Sequence, residues 1–140
     1  MPYKLFAQSD YIMLSRTRPL MEVFLNGKKC AMLIDTGSTI NILCTSKLAR
    51  YGVNKEISKN YTKTISGVKE VYSINKIKVF VKGQAVNLFY SVDVEASCKS
   101  IEEETGIEVA GILGTPAIKQ LGMVIDLSRG IVTIKADTVK

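Results

Sequence analysis

The stretch Ala31-Met32-Leu33-Ile34-Asp35-Thr36-Gly37-Ser38-Thr39-Ile40-Asn41-Ile42-Leu43 decides the reading of this chain. Four apolar residues run into an acidic, glycine-bearing cluster, and a second largely apolar run leaves it. Asp, Gly and Ser are common turn residues, and a given tripeptide occurs by chance in roughly a few per cent of chains of this length. The setting therefore carries more weight than the tripeptide. A solvent-facing turn is not flanked on both sides by strands apolar enough to be buried. A carboxylate held there sits at the floor of a site, where burial and neighbours tune its protonation. Thr36 offers a hydroxyl to hold the loop, Gly37 lets another backbone approach closely, and Ser38 can hydrogen-bond the carboxylate from the side.

Upstream, Met21-Glu22-Val23-Phe24-Leu25 alternates until Asn26-Gly27, a pair that favours a type I′ hairpin turn, and the return strand runs from Cys30 to Ile34. Downstream, Thr45 or Ser46 can cap a helix of one or two turns that Gly52 stops. Residues 61–82 read as a long hairpin, with Ser66-Gly67 at its tip. Ile77, Val79 and Val81 alternate up to Gly83, and a further apolar stretch covers 86–94. The acidic residues 95–108 read as an exposed loop. A closing segment follows: Ala110-Gly111-Ile112-Leu113-Gly114, a short helix over 116–121 with Pro116 at its start and Gly122 at its end, and a last hairpin turning at Ser128-Arg129-Gly130. Leu33-Ile34-Asp35-Thr36-Gly37 is faintly echoed by Ile112-Leu113-Gly114. The expected class is all-β with one or two short helices, in one domain over residues 1–140, with residues 1–19 as an N-terminal extension.

Composition narrows the chemistry. The 140 residues are 46% hydrophobic and 23% charged, the balance of a globular domain. There is no histidine, which removes Ser-His and Cys-His pairs, His-ligated metals and imidazole bases together. Three widely spaced cysteines, Cys30, Cys44 and Cys98, fit neither a disulfide framework nor a zinc site, and read as reduced, partly buried thiols. The net charge of +6 comes from scattered lysines such as those in Lys76-Ile77-Lys78-Val79, a solvated strand face rather than a nucleic-acid surface. No apolar run nears the roughly 20 residues of a membrane span, and residues 1–15 lack a signal-peptide core. A cytoplasmic protein without membrane or nucleic-acid partners is expected.

The chain resembles the retropepsin-like aspartic proteases, the group of retroviral and retrotransposon proteases and their cellular relatives. The resemblance rests on Leu33-Ile34-Asp35-Thr36-Gly37-Ser38-Thr39 as catalytic loop, Ile65-Ser66-Gly67-Val68 as glycine-tipped flap, and Gly111-Ile112-Leu113-Gly114 before a short helix. These come in the family's order across most of residues 21–134. It implies a closed acid-protease barrel with one lobe per chain and a catalytic Asp35. Thr36 would grip the opposing loop, and Gly37 and Ser38 would support the active-site loop. The flap residues Ile65, Ser66, Gly67 and Val68 would lie over substrate, and Ile112, Leu113 and Gly114 would pack beside the catalytic loop. Ser38 stands where many retroviral members have alanine, and the chain is longer than a minimal viral subunit.

Only one Asp-Thr-Gly occurs; Asp126 and Asp137 read as strand-end or surface carboxylates. Aspartic-protease chemistry needs two carboxyls at hydrogen-bond distance, one ionised to take a proton from water and one protonated to donate to the peptide carbonyl. Such a pair shares one proton because two like charges so close resist double ionisation, for which this dyad is the standing example. One carboxyl per chain implies a homodimer with Asp35 facing Asp35 across a two-fold axis. The substrate would be an extended polypeptide, with no cofactor and no metal. Residues 3–6 and the tail after Ile134 are candidates for the dimer's terminal strands, and Ile65, Val68, Ile112 and Leu113 for pocket walls. A rival reading is a non-catalytic module that uses the same fold to dimerise or bind peptides.

Overall fold

The computed structural model of the chain describes residues 8–53, 59–64, 67–74 and 77–135, with 59–64 and 67–69 described by their backbone alone. Twelve strands and two α-helices are present among the described residues. The first strands are β1 (Gln8–Ile12), β2 (Leu20–Leu25), β3 (Lys28–Ile34) and β4 (Asn41–Cys44), the last followed by two 3-10 turns at Thr45–Lys47 and Ala49–Tyr51. Next come β5 (Lys59–Thr64), β6 (Gly67–Ser73), β7 (Val79–Val81), β8 (Gln84–Val86) and β9 (Phe89–Val92). The chain closes with α1 (Glu95–Thr105), β10 (Val109–Leu113), α2 (Thr115–Leu121), β11 (Val124–Asp126) and β12 (Ile131–Lys135).

A nine-stranded sheet runs in the order β5-β6-β9-β4-β10-β3-β2-β7-β8, and a small one in the order β1-β12-β11. Residues from both wings of the large sheet meet in one core: Val23 and Leu25 of β2, Val79 and Val81 of β7, Leu43 of β4, Phe89 of β9 and Leu113 of β10. Val132 and Ile134 of β12 close it from the small sheet. Shared burial of strands so far apart in sheet order requires the sheet to curl into a half-barrel. Leu25, Val23, Val81, Phe89 and Leu113 are at most 1% exposed, and full burial of such a side chain is worth roughly 1.5–3 kcal/mol.

The all-β class with two short helices agrees with expectation. Asn26 and Gly27 both adopt positive φ, 49° and 83°, as a type I′ turn requires. Asn26 also donates from Nδ2 to the Tyr51 carbonyl at 2.9 Å, and its Oδ1 accepts from the Lys78 N–H at 2.9 Å. Helix α2 has its proline in the first turn, and Gly122 ends it at φ 56°.

Three local expectations need correction. Residues 95–108 are not an exposed loop: α1 occupies Glu95–Thr105. Cys98 and Ile101, one turn apart, are buried against Leu20, Cys44 and Val109, while the glutamates face solvent, and Gly106 at φ 76° stops the helix. The long hairpin is shorter than 61–82. β5 pairs with β6 from Lys59↔Tyr72 to Thr64↔Gly67, whereas β7 leaves to pair with β2 and β8. Its Val79 and Val81 are buried in the main core, which draws that strand away from the hairpin. Finally, neither Thr45 nor Ser46 caps the first 3-10 turn; Cys44 takes that position, with no side-chain cap. Gly52, at φ 68°, does end the second turn.

Candidate active site

Strand β3 delivers Asp35 and β4 carries the chain away, both held by β10. β10 lies parallel to β3, pairing Ile112 with Leu33 and Leu113 with Ile34, and antiparallel to β4, pairing Ile112 with Ile42. The echo seen in sequence is therefore a spatial pair. The Asp35 N–H donates to the Leu113 carbonyl at 3.0 Å, the Thr115 N–H to the Ser38 carbonyl at 2.9 Å, and the Ser38 N–H to the Asp35 carbonyl at 3.1 Å. These bonds fix both ends of the loop without using the carboxylate.

One carboxylate oxygen of Asp35 accepts from the Gly37 N–H at 2.8 Å. Ser38 does not reach the carboxylate; its hydroxyl donates to the Ile40 carbonyl at 2.6 Å and tightens the loop's exit. Asp35 is half-buried, and Thr36, Gly37 and Thr39 are exposed, between the buried Ile34 and the buried strand β4. The acid thus stands at a rim, its backbone clamped and its side chain open on one side.

Leu113 is fully buried in the main core, so it supports the loop through its carbonyl and forms no pocket wall. Ile112 is 8% exposed and packs with Ile42, Val71 and Val92. Gly114 has a steric reason to be glycine. A Cβ there would stand 2.2 Å from the Ile40 carbonyl oxygen and 2.8 Å from that of Ser38. Gly111 is as tight, with a would-be Cβ 2.0 Å from the Ile42 oxygen. Gly67 and Val68 are placed by backbone at the start of β6, opposite Thr64 and Lys63. Ile65 and Ser66, residues 3–6 and Asp137 lie outside the described residues.

Asn41 was missed. It is fully buried; its Oδ1 accepts from the Gly114 N–H at 2.9 Å and the Ala117 N–H at 3.3 Å, and its Nδ2 donates to the Asn87 carbonyl at 3.3 Å. Helix α2 has no side-chain cap of its own, so Asn41 supplies it from another strand. A polar residue inside Ile40-Asn41-Ile42-Leu43 was the available signal, because buried amides are there to be bonded. Asp126, the other carboxylate near a strand end, is tied up elsewhere. It accepts from the Arg129 guanidinium at 2.7 Å and the Ser128 hydroxyl at 2.8 Å, and Arg129 first and Ser128 second pull its pKa down to about 2. No cluster of His, Cys, Asp and Glu able to hold a metal occurs among the described residues.

A buried strand pair thus presents a clamped Asp-Thr-Gly loop, backed by a glycine-tight closing strand. The retroviral aspartyl protease family model matches residues 15–126, most of the chain, and the chain belongs to that family. Among solved structures, EIAV protease complexed with the inhibitor HBY-793 superposes with a TM-score of 0.58 at 20% identity, covering 75% of this chain and 88% of that one. A retropepsin-like aspartic protease from Rickettsia conorii gives a TM-score of 0.58 at 14% identity, covering 93% and 90%. At those identities the likeness is one of fold. No curated protein sequence matches.

Proposed function

We propose that the protein is an aspartic endopeptidase, active as a homodimer, in which Asp35 of two chains forms the dyad that activates water. The observation that carries this reading is the exposure of Thr36, Gly37 and Thr39 around a half-buried Asp35 whose backbone is fully engaged. A second copy of the loop fits against that open side, with Thr36 reaching the opposing loop. The two carboxyls then share one proton. The ionised one takes a proton from water as the water attacks the peptide carbonyl, and its partner donates to the carbonyl oxygen.

The β5–β6 hairpin is the flap that covers an extended polypeptide. Backbone hydrogen bonds from flap and floor hold the substrate, and side-chain pockets select it. The domain spans the whole chain, and residues 3–6 and the tail after Ile134 are candidates to reinforce the dimer. Within the chain, β1 pairs with β12 from Gln8↔Lys135 to Ile12↔Ile131. The three free cysteines fit a reducing compartment such as the cytoplasm. Among the described residues no helix is long and apolar enough to cross a membrane.

Incubating the purified chain with a peptide mixture across a wide pH range tests the assignment. Cleavage that disappears in Asp35→Asn supports the enzyme. A folded dimer that cleaves nothing at any pH identifies a binding module instead.

A further inference from the structure

The only Asn-Gly pair in the chain, Asn26-Gly27, does more than turn β2 into β3. Asn26 is half-buried and ties three segments together. Its N–H donates to the Lys78 carbonyl at 2.8 Å, and its Oδ1 accepts from the Lys78 N–H at 2.9 Å. These bonds carry the β2–β7 pairing one step beyond Leu25↔Val79. Its Nδ2 donates to the Tyr51 carbonyl at 2.9 Å, at the end of the second 3-10 turn. Leu25 and Val79, the residues next to this junction, are at most 1% exposed, and Tyr51 packs against the same core. Asn-Gly is also the pair in which an asparagine amide is most readily lost, because glycine has no side chain to hinder attack by its own nitrogen. In the folded chain both polar atoms of that amide are engaged, each by a different segment.

We propose that Asn26 is a fold-gated deamidation site: its amide survives while the junction is made, is lost when the β7 wing opens, and leaves a junction that cannot be rebuilt. In the reaction the Gly27 nitrogen gives up its proton and attacks Asn26 Cγ. The bond from Cγ to Nδ2 breaks, and ammonia leaves with that proton. One water then opens the succinimide at either carbonyl, to aspartate or isoaspartate. The chain exchanges ammonia for water, and no further reagent is needed. Ring closure has to turn the amide plane and make Cγ tetrahedral, which cannot happen while Oδ1 is held by Lys78 and Nδ2 by Tyr51. The gate is therefore the local opening of that junction. Either product blocks its closing again. An ionised carboxylate only accepts hydrogen bonds, so an oxygen would face the Tyr51 carbonyl where Nδ2 now donates. Isoaspartate adds a backbone carbon inside a two-residue turn. The inference does not depend on proteolytic activity.

The test compares rates. The folded protein and a sample unfolded in guanidinium are held at the same temperature and neutral pH, then digested with trypsin beside aliquots taken at the start. Peptide 17–28 carries Asn26, and mass spectrometry reads its conversion to the aspartyl and isoaspartyl forms. Conversion in the folded chain should be slower by about tenfold or more, as chemistry limited by local opening requires. Lys78→Pro removes the N–H that holds Oδ1. It should convert faster than the parent in buffer while its circular dichroism stays native, and match the parent in guanidinium. Asn26→Asp, standing in for the product, should melt at a lower temperature than the parent. Equal rates in the folded and unfolded parent would overturn the gate, and that comparison decides it even where Lys78→Pro does not fold. A folded Lys78→Pro chain as slow as the parent would overturn it too. Asn26→Asp melting together with the parent would show that the junction closes again, and would overturn the one-way character.

Discussion

Leu33-Ile34 runs into Asp35, and Ile112-Leu113 runs into Gly114, in register on the parallel strands β3 and β10. The two arms share their apolar approach and diverge at the next residue. On the first arm that residue is a half-buried acid whose backbone N–H is bonded to the second arm. On the second it is a glycine with no room for a methyl group. One arm presents a carboxyl group, and the other packs too tightly to carry any side chain at that position. Under the proposed activity, a fold with two similar arms but one acid would need a second copy of itself to supply the second carboxyl.

Substitutions can erase or exaggerate that difference. Asp35→Asn makes the first arm as inert as the second, and should lower peptide cleavage by about 10²–10⁴-fold, the usual worth of acid–base catalysis. Its fold should persist, because the amide oxygen still accepts from the Gly37 N–H; circular dichroism beside a cleavage assay separates the two. Gly114→Ala attacks the second arm. With backbone oxygens 2.2 and 2.8 Å from the new carbon, it should cost about 3 kcal/mol, read as a lower denaturant midpoint.

Asn41→Ala cuts the tie between the arms. The Gly114 and Ala117 N–H groups lose their acceptor, and stability should fall by about 2 kcal/mol with activity reduced in step as the closing strand loosens. Arg129→Ala, outside both arms, is the smallest change. Asp126 has its folded pKa depressed to about 2, so its pairing stabilises the protein above the unfolded carboxylate range and is lost as pH falls toward 2. The variant should match the parent near pH 2 and be slightly less stable at pH 5, by thermal melts at both.

What could be read in advance was whatever local chemistry decides. Asn26-Gly27 demands its turn, alternation in β2 and β7 marks a buried face, and Pro116 and Gly122 bracket α2. The order of the Asp35 loop and the closing strand was legible for the same reason. Helix α1 was not, because Glu102-Glu103-Glu104 dominates the composition while the three residues that dock it, Val94, Cys98 and Ile101, are too sparse to show a helical period. Strand β1 was missed because its partner lies at the far end of the chain, as Gln8↔Lys135 shows. Asn41 stood unremarked inside a run read as apolar; only the placement of α2 beside β4 turns it into a cap.

Mixing chains goes to the heart of the matter. Wild-type protein is allowed to exchange subunits with increasing amounts of Asp35→Asn protein, and cleavage is measured at fixed wild-type concentration. If each site is made by two chains, excess variant sequesters wild-type subunits in dead pairs, and activity per wild-type chain should fall toward zero in proportion to the wild-type fraction. Activity that stays constant however much variant is added would mean that a lone Asp35 suffices, and would contradict the account.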